Sequence, residues 1–218
     1  MKFRLLSLFL LCSTIVFAQY ERRDTRTSVY FTAGINQAGA VGWEDPDLAG
    51  AGYFTGFNGG MGFAAVLDKR NTLVLGLEAA FSSQGFRNTE VSADTDLEKI
   101  IVNYINVPVV IRKYPFRKFS SMYFGLGPQV SFQVGGHIKT KGGESVDIVE
   151  GSLTKTVFSG VGVVGFNFDR MLNFGLELGY HRSFSKFIEI APELRHSVFF
   201  AKLFLPVDFI ADVMEGLQ

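Results

Sequence analysis

In HRSFS, His181 and Ser183 stand two residues apart, which places both side chains on one face if the segment is a strand. An imidazole beside a hydroxyl can take its proton and turn the oxygen into a nucleophile for acyl hydrolysis, provided a carboxylate orients the ring. Glu189 and Glu193, in the segment that follows, are the residues for that third role. A nucleophile and base without a demonstrated orienter remain weak grounds for an enzyme. GVGVVG, Gly160 to Gly165, matches the glycine pattern of a dinucleotide loop, but FNFDR follows it where a helix is required. His137, His181 and His196 are too scattered for a metal centre. WEDPD and EVSADTDLEK are acidic, yet they lack the glycine and the final glutamate of a calcium loop. No cofactor and no metal are expected. Trp43 and Tyr53 flank a long loop, where they either contact a ligand or pack on a rim.

The elements that must carry these residues begin after an export signal. Lys2 and Arg4 precede the apolar stretch LLSLFLLCSTIVF, and Val16-Phe17-Ala18 is a small-residue cleavage pattern, so residues 1–18 read as a signal peptide. The stretch is too short for a spanning helix, which needs about 20 residues. Cys12 is the only cysteine and lies in that segment. Removing Lys2 and Arg4 leaves 19 cations against 21 acids, a formal charge of −2, which argues against nucleic acid as a partner. With 23 Phe and 24 Gly, and no apolar run near 18 residues after the signal, the composition excludes a helical membrane protein and suits a membrane barrel.

Eight alternating segments follow: SVYFTAGIN, TGFNGGMGFAAVL, TLVLGLEAAFSS, KIIVNYINVPVVIRK, SMYFGLGPQVSFQV, TKTVFSGVGVVGFNF, NFGLELGYHRSFS and HSVFFAKLFLPVDF. Polar connections after the odd segments are long (QAGAVGWEDPDLAGAGYF, QGFRNTEVSADTDLE, GGHIKTKGGESVDIVEGSL, KFIEIAPELR); those after the even segments are short (DKRN, YPFRKFS, DRML). This is the asymmetry of an outer-membrane barrel, with short periplasmic turns and long extracellular loops. The expected fold is therefore all-β: an antiparallel transmembrane barrel of about eight strands within residues 27–209, in one domain spanning 19–218, with a periplasmic tail at 210–218.

Along the strands, one face is large and apolar and the other is mostly glycine and small polar residues. Leu73, Leu75, Leu77, Ala79 and Phe81 oppose Val74, Gly76, Glu78 and Ala80. A soluble barrel would put charged residues on its outer face. Here the small face fits the interior of an eight-stranded barrel, which side chains fill, and the apolar face meets lipid. Parity then sends Glu78, Arg112, Glu177, His181 and Lys202 inward as a lumen polar network, read as a structural plug of opposite charges. In the last strand the same parity turns Val198, Phe200 and Phe204 inward. In YINVPVVIRKYPF it sends Tyr104, Asn106, Pro108, Val110 and Arg112 to the lumen. Pro108 lacks a ladder donor, which predicts a bulge, and Tyr114 and Phe116 are expected in an interfacial aromatic girdle.

The strand YINVPVVIRKYPF, with FGLGPQVSF and GLELGYHRSF, resembles the small porin-family, PorT-like outer-membrane barrels of Gram-negative bacteria over essentially the whole chain after the signal. That resemblance implies a transmembrane barrel and supplies no catalytic residues. The His-x-Ser pair is similar to that of small lipid A deacylases, although Phe184 stands where those have asparagine. The expected protein is a non-enzymatic, monomeric outer-membrane barrel with an envelope-structural, surface-contact or limited small-solute passage role. The alternatives are an accessory barrel of a secretion system and a lipid A-modifying hydrolase using His181 and Ser183. Expected partners are outer-membrane lipid, the barrel-assembly machinery during biogenesis, and proteins bound through the extracellular loops or the C-terminal tail.

Overall fold

A computed structural model describes residues 27–41, 51–68, 70, 72–88, 97–115, 122–140, 142, 145–147, 154–168, 174–186 and 195–207. The strands are β1 (Thr27–Val41), β2 (Ala51–Val66), β3 (Leu73–Asn88), β4 (Leu97–Lys113), β5 (Met122–Thr140), β6 (Ser145–Asp147), β7 (Thr156–Phe168), β8 (Phe174–Ser183) and β9 (Arg195–Pro206). All pairings are antiparallel. Neighbours run β4-β3-β2-β1-β9-β8-β7-β5, and β4 pairs with β5 to close an eight-stranded barrel. The ninth strand, β6, is a three-residue addition to the far end of β5, inside a segment read from the sequence as loop.

Strands β1 to β5 are longer than the alternation suggested, whereas β7, β8 and β9 are slightly shorter. β5 has 19 residues, whereas crossing a bilayer takes about 9–11. Parts of the long connections are therefore strand: Gln37 to Val41 in β1, Gln84 to Asn88 in β3 and His137 to Thr140 in β5. The physical reason is that ladder hydrogen bonds continue above the membrane, where apolar alternation is no longer required. Trp43, Glu189, Glu193, Phe116, Phe209 and the tail lie outside the described residues; Tyr53 is an exposed residue of β2.

The two faces follow parity. Leu126 is 75% exposed on β5 and Glu177 is 1% exposed on β8. Phe31, Phe57, Phe124, Leu178, Phe199 and Leu203 also point outward. A soluble protein rarely exposes apolar patches beyond a few hundred Å², so this continuous band is a lipid-facing surface. Val198 is buried, and Phe200 and Phe204 pack against an inner cluster of Val110, Tyr123, Val161 and Val163. Phe200 and Phe204 of the last strand thus fill the barrel, as parity required.

Two local expectations fail. Pro108 causes no bulge. Leu77 stands opposite Val109 and Ala80 opposite Asn106, so the β3–β4 register is identical on both sides of the proline. A missing donor interrupts the ladder at Glu78 and Ala79 without inserting a residue, and the flanking pairs hold the register. The irregularity in β5 lies higher, where Asn103 faces Gly135 and Tyr104 faces Gln133, leaving Val134 as the extra residue. Tyr114 is not a girdle residue either. Its ring packs 5.2 Å from that of Tyr123, and Asn167 Nδ2 donates to its hydroxyl at 3.3 Å. It continues the inward parity of Arg112 and lines the lower end of the barrel.

The β2–β3 turn is built by one side chain. Asp68 accepts from Thr72 N–H at 2.8 Å, Leu73 N–H at 2.9 Å and the Thr72 hydroxyl at 2.7 Å. The Leu73 N–H, followed by the Thr72 groups, holds the Asp68 carboxyl below its ordinary pKa. Lys113 Nζ donates to Thr72 Oγ1 at 2.9 Å and ties this turn to the end of β4.

Candidate functional site

The barrel interior holds the only cluster of charges that the strands bring together across the described lumen. Register assembles it. Glu177 of β8 lies directly opposite Lys202 of β9, and Lys202 lies opposite Gly34 of β1. Glu78 reaches Lys202 from β3, and Arg112 reaches Glu177 from β4. Glycines make the space. A Cβ on Gly62 would strike Tyr30, on Gly165 Tyr123, on Gly175 Phe204 and on Gly179 Phe200. These glycines are required by the close approach of a ring to a neighbouring strand.

Charges alternate through the cluster. Lys202 Nζ is 2.6 Å from Glu78 Oε2 and 3.0 Å from Glu177 Oε1. Arg112 Nη2 is 3.0 Å from Glu177 Oε2, and its Nε donates to the same oxygen at 3.2 Å. Tyr123 donates to Glu177 Oε2 at 2.7 Å, and Thr32 donates to Glu78 Oε1 at 3.2 Å. The guanidinium also lies over the rings of Tyr30 and Tyr123, at 5.6 and 5.4 Å from their centroids. Two cations and two carboxylates cancel. Each charge is paired and hydrogen-bonded, the condition under which buried ions are tolerated.

Of the five inward residues singled out from the sequence, Glu78, Arg112, Glu177 and Lys202 meet in this cluster. His181 is buried above it, 6.3 Å ring to ring from Phe200, and its Nδ1 has no hydrogen-bond partner. Tyr30, Tyr123 and Thr32 were missed. Their inward parity was readable, but which strands face each other across the lumen was not.

The His-x-Ser pair does not form a nucleophile and its base. Ser183 Oγ accepts from His196 N–H at 2.7 Å and contacts His196 O at 3.4 Å, so its hydroxyl is spent on the β9 backbone. The Tyr104 hydroxyl lies 3.2 Å from His196 Nε2 beside it. Gly160 to Gly165 lies wholly within β7, as strand. His137 stands opposite Asp147 of β6, on a different part of the barrel from His181 and His196. Among the described residues, no three histidine, aspartate or glutamate side chains are grouped as metal ligands.

Two cavities lie among the described residues of the lumen. One, of about 40 Å³, lies among Asn36, Asn106, His181 and the charge cluster. The other, of about 220 Å³, opens among Thr27, Tyr114, Asn167 and Pro206, at the end of the barrel where β1 begins and β9 ends. Tyr30 and Arg112 line both, and so form the wall between them. The inner space suits a few waters rather than an organic ligand, whose pockets measure about 300–1,000 Å³.

Comparison with known proteins agrees with this architecture. The model of a family described as outer membrane protein beta-barrel domain matches residues 17–189. Neisserial surface protein A (NspA) superposes with a TM-score of 0.55 at 15% identity, over 82% of this chain and 97% of that one. Ail, the attachment invasion locus protein of Yersinia pestis, gives 0.46 at 13% identity, over 83% and 99%. OprG from Pseudomonas aeruginosa gives 0.42 at 13% identity, over 83% and 94%. No curated protein sequence matches. The family match covers most of the chain and the fold is the closed barrel that it describes, so the protein belongs to the outer membrane protein beta-barrel domain family and resides in the cell outer membrane.

Proposed function

We propose that this is a closed, non-enzymatic barrel that acts through its outer surface, in envelope structure and surface contact, and passes little or no solute through its lumen. The wall formed by Tyr30 and Arg112 between the two cavities carries this reading. Arg112 is held there by Glu177, which is also held by Lys202 and Tyr123, so opening the wall requires several charge-assisted bonds to break together. The five polar residues read from the sequence act in this view as a plug and not as a binding site. Residues 1–18 serve as the export signal, and the chain works as a monomer inserted by the barrel-assembly machinery. The YINVPVVIRKYPF strand supports a place near the PorT-like porin type within the family.

The test is conductance in planar bilayers. Wild-type protein is expected to show no steady channels, whereas Arg112→Ala combined with Tyr30→Ala opens measurable ones. Steady channels in the wild type would overturn the closed-lumen reading.

A further inference from the structure

The outer face of the barrel carries a row of cations that form no ion pair among the described residues. Arg87 of β3 is directly opposite Lys99 of β4, and Lys99 is directly opposite Lys139 of β5. Directly opposed residues share a face. That face is the outside, because Ser82, Gln84 and Phe86, which alternate with it on β3, are buried. With strands about 4.8 Å apart, the three form a positive strip about 10 Å long. Like charges directly opposite one another are destabilising, so the strip stands at a local cost.

The nearest acids whose backbone is described occupy other ladder positions. Among the described residues, none of the three cations makes an ion pair. Glu98 is the unpaired residue at the register shift beside Lys99. Asp147 stands opposite His137, one row below on the same face. Ser145 is the residue facing Lys139 on its other side. At the other end of the barrel, Lys113 by contrast is engaged by Thr72.

Height identifies the anion. Arg87 is 14 residues beyond the start of β3 at Leu73. That is about 46 Å of strand, or about 35 Å of rise at a tilt near 40°. The apolar band of an outer-membrane barrel is about 25 Å tall, so the strip sits just above it, at headgroup level on the extracellular side. Phe81, Phe132 and Val134 lie below on the same strands, exposed to the acyl region. Basic clusters placed over an apolar surface in this way bind anionic lipid headgroups.

We propose that Arg87, Lys99 and Lys139 form a binding site for the phosphate groups of a phosphorylated glycolipid in the outer leaflet, with acyl chains lying on Phe81, Phe132 and Val134. The site does not depend on whether the lumen is closed.

The experiment is native mass spectrometry of the detergent-solubilised barrel with diphosphorylated lipid A, with the dephosphorylated lipid, and with inorganic phosphate as competitor. Wild type is expected to retain the diphosphorylated lipid preferentially. The Arg87→Gln, Lys99→Gln, Lys139→Gln variant should retain it about 10- to 100-fold more weakly, as removal of three headgroup contacts implies. Lys113→Gln, at the opposite end, should behave as wild type. Heat-modifiable gel mobility verifies that each variant is folded, and Lys99→Gln alone, with a smaller loss, serves if the triple variant is not. Equal retention of both lipids, undiminished retention by the folded variants, or complete displacement by millimolar inorganic phosphate would each overturn the proposal.

Discussion

Arg112 and Lys202 inside the barrel, and Arg87, Lys99 and Lys139 on its rim, are the same residue types in opposite circumstances. The inner two are shared among Glu78 and Glu177 within 3.0 Å. The outer three face one another across adjacent strands. Inside a narrow lumen there is too little water to solvate a lone charge, so the chain has to supply the counter-charges itself. On the rim, water and membrane headgroups are available, and like charges can stay in register with no ion pair among the described residues.

The largest way to break this comparison is to remove one inner acid. Glu177→Ala leaves Arg112 and Lys202 with a single carboxylate between them and should destabilise the barrel by about 3–5 kcal/mol, measured by urea unfolding in detergent or lipid. A loss below about 1 kcal/mol would mean that water enters the lumen and that the inner set resembles the rim after all. A second, smaller effect tests how full the lumen is. Gly179→Val drives a side chain into Phe200 and should cost about 1–3 kcal/mol, recovered in part by Phe200→Ala in the same chain. Full tolerance of the valine would show slack that a packed plug does not have. The smallest effect has the opposite sign. Lys99→Gln relieves two like-charge contacts and should raise stability in lipid-free detergent by about 0.2–1 kcal/mol. Destabilisation there would reveal a partner for Lys99 and erase the contrast between rim and lumen.

Much of the fold was readable because a barrel strand imposes one rule at every position. Leu126 had to meet lipid and Glu177 had to avoid it, and both obey. Aromatic residues that looked misplaced in β9 also obey, since Phe200 and Phe204 seat over Gly179 and Gly175 of β8. Where the rule weakens, legibility weakens. Above the membrane, β1, β3 and β5 continue with no apolar alternation to mark them, and the sequence there reads as loop. At Pro108 a rule about single residues suggested a bulge, but the pairs on either side outvoted it. His181 shared the inward face with the charges yet stands apart from them, because parity reports a face and not a height.

The sequence alone therefore determined the class of solvent on each side of the wall: lipid outside, small and polar groups inside, long loops at one end and short turns at the other. It did so because alternation is local and every strand repeats it. Only the tertiary structure decided which charges meet. Glu78 and Lys202 are 124 positions apart, and Arg87, Lys99 and Lys139 come from three different strands. Their contacts depend on stagger between strands, closure of β4 on β5 and the glycines that let rings cross the lumen. Those quantities are set by the whole circumference at once, and no single segment encodes them.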